Sequence, residues 1–238
     1  MQNEVAEIDR REFLIKMLSA GLAGSVLSTV LARQVLAMGA AGQLPQGVQK
    51  MQGAVMINGI RAQIGSLVVP GDVITTGSAS HAVIVVDKDA YLVRENSAIE
   101  IMRDTGEHHS TEQRGVSSIK VTAGKLLSVF GQGARSVDTI TVVVGVRGTG
   151  MYVEILDDIT YVCLCYGKAD IDPKSYPADR ISLSTKHHDS PYYFLPAGMK
   201  RGMLRAPVIN HTDEELIMLE SLVGRVPPFG NKQLPYSY

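Results

Sequence analysis

From residue 51 onward the chain alternates short apolar runs with turn residues. Residues 54–57 run into Asn58-Gly59, and residues 61–64 resume before Gly65. Asn-Gly between apolar runs is the strongest short-range hairpin signal. Further runs at 67–69, 73–76, 81–86, 91–94 and 98–102 are cut by Pro70-Gly71-Asp72, Gly77-Ser78, Asp87-Lys88-Asp89 and Glu95-Asn96-Ser97. A polar stretch at 103–117 keeps no period and is expected to be an exposed loop. Runs at 118–122, 125–130, 140–144, 151–156 and 160–166 follow, rich in valine and isoleucine. Strands this short must return quickly, which predicts an all-β fold, a β-sandwich or β-solenoid. Trp is absent and aromatics are few, so branched aliphatic side chains are expected to fill the core.

The pattern changes once near the end. Thr212-Asp213-Glu214-Glu215 reads as a capping box, with the Thr hydroxyl and the Glu215 carboxylate each serving the other's backbone amide. Leu216, Ile217, Leu219, Leu222 and Val223 then recur at helical spacing, Gly224 suits a C-terminal cap, and Pro227-Pro228 stops the helix. One helix is therefore predicted over 213–223, packed on the β body or offered to a partner.

The first forty residues follow neither pattern. Asp9-Arg10-Arg11-Glu12-Phe13-Leu14-Ile15-Lys16 precedes an apolar run at 17–32. The adjacent arginines resemble a twin-arginine export signal, which addresses folded chains to a membrane translocation route. The run is diluted by Ser19, Gly21, Gly24, Ser25, Ser28 and Thr29, and suits a cleaved signal better than a span of about 20 apolar residues. Residues 1–37 are expected to be the signal, carried by Arg10 and Arg11, with cleavage after Ala37 and Ala41 as second choice. The alternative is an uncleaved membrane anchor. A small-residue linker over 38–50 would follow, then a β domain over 51–172 and an extension over 173–238. The implied compartment is the periplasm.

Charge narrows the partners. The chain has 23 Lys and Arg against 24 Asp and Glu. A near-neutral chain lacks the clustered cations that nucleic acid requires. An envelope protein or a cell-wall ligand remains, with membrane contact only if the signal stays attached. Tyr192, Tyr193, Phe194, Tyr236 and Tyr238 could serve a cell-wall contact, or pack the C-terminal arm against the β body.

Four segments together resemble a known family: residues 68–77, 82–87, 95–101 and Val144-Gly145-Val146-Arg147-Gly148-Thr149 are similar to the FecR domain, over about residues 50–165. The Val-Arg-Gly-Thr element followed by a β run is the most specific piece. The resemblance implies an all-β extracytoplasmic domain. In signalling members it lies between an outer-membrane transporter and a membrane-spanning anti-sigma segment. No anti-sigma module is recognisable here, so a standalone envelope protein is expected, and the family transfers no catalytic residues. From the residues themselves, Arg147 between glycines in an apolar region is expected to be buried and satisfied by carboxylates or carbonyls, locking neighbouring turns. Gly148 and Gly150 suit a bulge, and Thr149 completes the element.

The candidate chemistry lies in Cys163 and Cys165, the chain's only cysteines. On a strand they share one face, with Cα atoms about 6.6 Å apart. That is near the upper limit for a disulfide, so a bridge would be strained. Same-face thiolates suit zinc, iron or copper. His187 and His188, followed by Asp189 and a turn at Ser190-Pro191, could complete a site, as could His211. A transition-metal site, a redox-active disulfide and inert buried thiols all remain open. His108-His109 reads as ordinary surface. There is no nucleophile elbow and no phosphate-binding glycine loop. A non-enzymatic module that binds a partner or ligand is therefore expected. The alternative is a small periplasmic metal or redox protein using Cys163, Cys165, His187 and His188.

Overall fold

The computed structural model describes residues 44–103 and 116–230. They form β1 (Gly47–Gln52), β2 (Val55–Ile57), β3 (Ile60–Arg61), β4 (Val73–Thr76), β5 (His81–Val86), β6 (Asp89–Val93), β7 (Ala98–Arg103) and β8 (Val116–Ala123). Then come β9 (Lys125–Val129), β10 (Arg135–Asp138), β11 (Val142–Leu156), β12 (Ile159–Pro173), β13 (Ile181–Thr185), β14 (Ser190–Phe194) and β15 (Met203–Arg205). One α-helix, α1 (Asp213–Leu222), follows. Over the described residues the fold is all-β with one C-terminal α-helix, as the turn spacing and the capping box predict.

Local chemistry accounts for the tight turns. Asn58 and Gly59 both take positive φ, 52° and 77°, which the turn between β2 and β3 requires. Asp87 at 55° and Asp157 at 55° serve the same purpose after β5 and β11.

All fifteen strands belong to one sheet. Its organiser is the hairpin of β11 and β12, each 15 residues long. The N-terminal half of β11 pairs with β10, and its C-terminal half with β9. β12 divides likewise, pairing with β14 through residues 160–164 and with β13 through residues 167–171. The sheet therefore curls into two arms sharing one hairpin. One arm runs β1-β5-β6-β9 into the hairpin and on to β14 and β15. The other runs β3-β2-β4-β7-β8-β10 into the hairpin and on to β13.

The arms meet where the hairpin register shifts, between Arg147 and Met151. Gly148 has φ 59° and Gly167 φ 98°. A β-carbon on Gly150 would land in the ring of Tyr166. On the β12 side the register passes from Tyr166 to Leu164, leaving Cys165 as the extra residue of a bulge. The Val-Arg-Gly-Thr element is thus the bend itself. Arg147 is exposed, contrary to the buried guanidinium expected from its apolar neighbours, because the bend turns its side chain outward opposite Lys168. The tie comes from buried Thr149, whose hydroxyl lies 3.0 Å from the Lys168 carbonyl and 3.1 Å from that of Arg147.

Two hydrophobic cores follow. The first lies inside the curl, built mainly from Val and Ile of both arms with Tyr91, Phe130 and Phe194. The second lies on the outer face of the β5-β6-β9 arm, where Leu216, Leu219, Val223 and Phe229 cover Val83, Val85, Leu92, Leu127 and Val129. Because both faces of β5 and β6 are covered, these strands read as unbroken apolar runs rather than alternating ones.

Three further sequence expectations are corrected. Residues 47–50, expected as linker, belong to β1, which pairs antiparallel with β5. The division at residue 172 is not a structural boundary, because β13, β14 and β15 continue the same sheet. Asp89, expected in a turn, is fully buried in β6, where it accepts from Gly131 N at 2.7 Å and Arg135 Nε at 3.1 Å. The signal segment with Arg10 and Arg11, linker residues 38–43, His108-His109 and the tail with Tyr236 and Tyr238 lie outside the described residues. Among the described residues no helix is long and apolar enough to cross a membrane.

Candidate metal centre

Cys163 and Cys165 stand on the outer face of β12, alternating with Val162 and Leu164, which enter the first core. Both thiols are free and buried. The bulge at Cys165 frees its carbonyl to accept the His188 backbone N–H at 2.9 Å. That bond anchors the loop between β13 and β14.

The loop is built by Asp189. Its carboxylate accepts from Thr185 Oγ1 at 2.6 Å and from Lys186 N at 3.3 Å. The Thr185 hydroxyl is the main reason the Asp189 carboxyl lies below its usual range. Asp189 is therefore spent on the loop rather than offered to an ion. His188 sits at φ 45°, an uncommon left-handed conformation for a non-glycine residue. Its ring is thereby turned inward, while His187 lies beside it with ring centroids 4.7 Å apart.

The third piece is the segment before α1. Tyr161 Oη donates to Pro207 O at 2.9 Å and accepts from Ile209 N at 3.3 Å. Asn210, at φ 58°, donates through Nδ2 to Glu154 Oε2 at 2.8 Å. His211 is thus laid flat on Tyr152, 4.6 Å between ring centroids and 16° from parallel.

Cys163, Cys165, His188 and His211 converge, with one potential ligand atom from each within 4.8 Å of the others. Cys163 Sγ lies 3.4 Å from His188 Nδ1, and His211 Nε2 lies 3.1 Å from the same nitrogen. A tetrahedral ion with metal–sulfur bonds of about 2.3 Å and metal–nitrogen bonds of about 2.0 Å sets sulfur–nitrogen edges of about 3.5 Å and nitrogen–nitrogen edges of about 3.3 Å. The Cys163–His188 and His188–His211 distances fit those edges, and all four ligand atoms lie within reach of one ion.

The hydrogen-bond partners of the rings sharpen the fit. His211 Nδ1 lies 2.6 Å from the Ile209 carbonyl, so its proton is assigned there and Nε2 is left with a lone pair. His188 Nε2 lies 3.1 Å from Asp213 Oδ1, which assigns its proton there and leaves Nδ1 bare. Two bare nitrogens then face each other at 3.1 Å in a buried site. Lone pairs so placed repel unless a cation lies between them, either a shared proton or a metal ion. A metal ion would engage both nitrogens and both sulfurs at once.

Without an ion, protons take that place, and the electrostatics show which groups share them. The Cys163 thiol is drawn well below its usual range, first by the Cys165 thiol and then, against burial, by His188 and His211. Burial pushes Cys165 the other way, well above its range. Burial also pulls His188 down, but its bonds to Cys163 and Asp213 outweigh that and raise it. A bound ion would deprotonate both thiols outright.

Of the residues singled out from sequence, Cys163, Cys165, His188 and His211 come together. His187 does not join them, because the adjacent ring in the bent loop is directed to Asp213, with Nε2 2.9 Å from each carboxylate oxygen. Asp213 is the functional candidate that the sequence hid. Its place in the capping box explained it fully as a helix start.

No family model matches the chain, and no curated protein matches it. Two crystal structures of an inferred anti-sigma factor from Parabacteroides distasonis ATCC 8503 are similar to it at 12% identity. One has a TM-score of 0.43, covering 56% of this chain and 58% of that one. The other has a TM-score of 0.45, covering 62% and 64% respectively. The chain therefore spans less than two thirds of either structure.

Proposed function

We propose that this chain is an exported, non-enzymatic, FecR-like envelope protein whose C-terminal segment is held to its β body by a closed Cys2His2 metal centre. The convergence of Cys163, Cys165, His188 and His211, with both rings oriented by outer hydrogen bonds, carries the metal reading. Four protein ligands leave no open coordination position, the pattern of a structural site rather than a catalytic one. The thiolate and imidazole set suits zinc first, then iron or copper. Export rests on Arg10 and Arg11 with the apolar run behind them, and would deliver the chain folded, with its two thiols already engaged. The FecR reading rests on the motif residues quoted above, and the partner it implies is an envelope protein or cell-wall component.

The deciding experiment is metal analysis of purified protein beside a Cys163→Ser/Cys165→Ser double variant. Wild type is expected to hold one ion per chain and the variant none. Sub-stoichiometric metal in wild type after zinc loading ends the metal reading. The alternative, a small periplasmic redox protein, draws on the lowered Cys163 thiol beside His188. A thiol titration on metal-free protein tests it, since a redox protein would yield fewer than two titratable thiols as isolated.

A further inference from the structure

His187, His188 and Asp213 form a second group of potential ligands that abuts the first and shares His188 with it. By composition it would suit a second ion. The distances favour a different role. His188 Nε2 to Asp213 Oδ1, at 3.1 Å, is an ordinary N–H···O bond. A neutral imidazole has one ring proton. If Nδ1 holds the metal, Nε2 keeps that proton and donates it to Asp213. A second ion at Nε2 would require His188 to lose both protons.

Asp213 is well placed to receive the bond. It is the first residue of α1, where the free backbone amides and helix dipole favour a negative charge. His187 Nε2, 2.9 Å from both carboxylate oxygens, pins its orientation. His187 is held in turn by the Phe229 ring, with centroids 4.6 Å apart.

We infer that Asp213 is the positioning carboxylate of the metal centre: it turns Nδ1 of His188 toward the ion, so that the start of α1 belongs to the centre and the chain takes one ion, not two. This rests on the Cys2His2 reading. Metal-ligating histidines commonly donate their other N–H to such a carboxylate, and loss of that partner typically costs about 10–100-fold in metal affinity.

The test is a titration of the purified chain with Zn2+ and with Co2+ against a chromophoric chelator. Wild type is expected to take one ion per chain. Asp213→Ala is expected to bind one ion about 10–100-fold more weakly with a shifted Co2+ visible spectrum, and Asp213→Asn to fall between the two. Leu219→Ala, which loosens α1 without touching His188, serves as the control for a merely structural role. Its expected loss is under about threefold, within the range of indirect effects. Unchanged affinity in Asp213→Ala overturns the inference while leaving the Cys2His2 reading intact. So does an equal loss in Leu219→Ala, which would mean that Asp213 acts only through helix docking. Two ions in wild type and one in Asp213→Ala would make the group a second site and overturn it. No ion in wild type removes the Cys2His2 reading and the inference together.

Discussion

Thr149 is wholly buried where the two arms of the sheet meet, and its hydroxyl serves the Lys168 and Arg147 carbonyls while accepting from Arg147 N at 3.3 Å. Thr149→Val keeps the shape and removes these bonds, leaving buried backbone groups unsatisfied, so a loss of about 1–3 kcal/mol is expected. Arg147→Ala, at an exposed position, should stay within about 0.5 kcal/mol. Urea unfolding of the two variants checks the order, and a larger loss for Arg147→Ala would restore the buried-arginine picture. Gly150→Ala probes the same bend differently: its methyl group would meet the Tyr166 ring, which is itself tied to Glu220. Overpacking of this kind costs about 1–3 kcal/mol. The glycines were legible as a bulge because only a missing β-carbon explains them. The direction of Arg147 was not, since it depends on which way the bend turns, and that is set by how β11 divides its pairing between β10 and β9.

Elements whose causes are local were read correctly from sequence, and α1 is the clearest case. Its Thr212–Glu215 capping box forms in both directions, with Thr212 N donating to Glu215 Oε2 at 3.0 Å and Glu215 N to Thr212 Oγ1 at 3.4 Å. Glu215 also pairs with Arg94 of the β body at 2.6 Å, so the cap fastens the helix as well as starting it. Thr212→Ala is expected to lower stability by about 1 kcal/mol. Leu219→Ala, at a fully buried position, should cost about 2–5 kcal/mol. Hydrogen exchange localises both effects: amides of α1 should exchange faster in each variant, while those of β7 and β8 keep their protection. Uniform acceleration across the sheet would show that the helix is not a separable unit. The length of β11 and β12 was illegible, because Gly145 and Gly167 read as chain breaks, although both lie within continuous strands. The loop carrying His188 hid for a related reason. Its inward turn follows from the bulged Cys165 carbonyl, and a bulge is a matter of register between strands.

At the scale of the whole molecule, the two cores divide the labour of stability. The inner core joins both arms of the sheet and involves none of the four ligands. The outer core contains Cys163 and Cys165 together with the apolar side chains of α1. The proposed ion therefore ties three stretches of chain that lie apart in sequence: β12, the loop before β14 and the segment before α1. An ion that binds the folded state alone stabilises it by RT ln(1 + [ion]/Kd), about 2.7 kcal/mol at a hundredfold excess over Kd. Thermal unfolding should accordingly rise with free Zn2+ in wild type and be indifferent to it in Cys163→Ser/Cys165→Ser. The loss on chelation should also be local. Amides of residues 186–189 and 206–223 should open first, while β4, β7, β8 and β10, which face only the inner core, stay protected. The curl of the sheet then survives metal loss and only the C-terminal strap loosens, because Tyr161, Glu154 and Arg94 still hold it at Pro207, Asn210 and Glu215. A chelator that leaves both the melting temperature and these amides unchanged would deny the ion any structural role. One that melts β4 and β7 together with the strap would mean that the two cores unfold as a single unit.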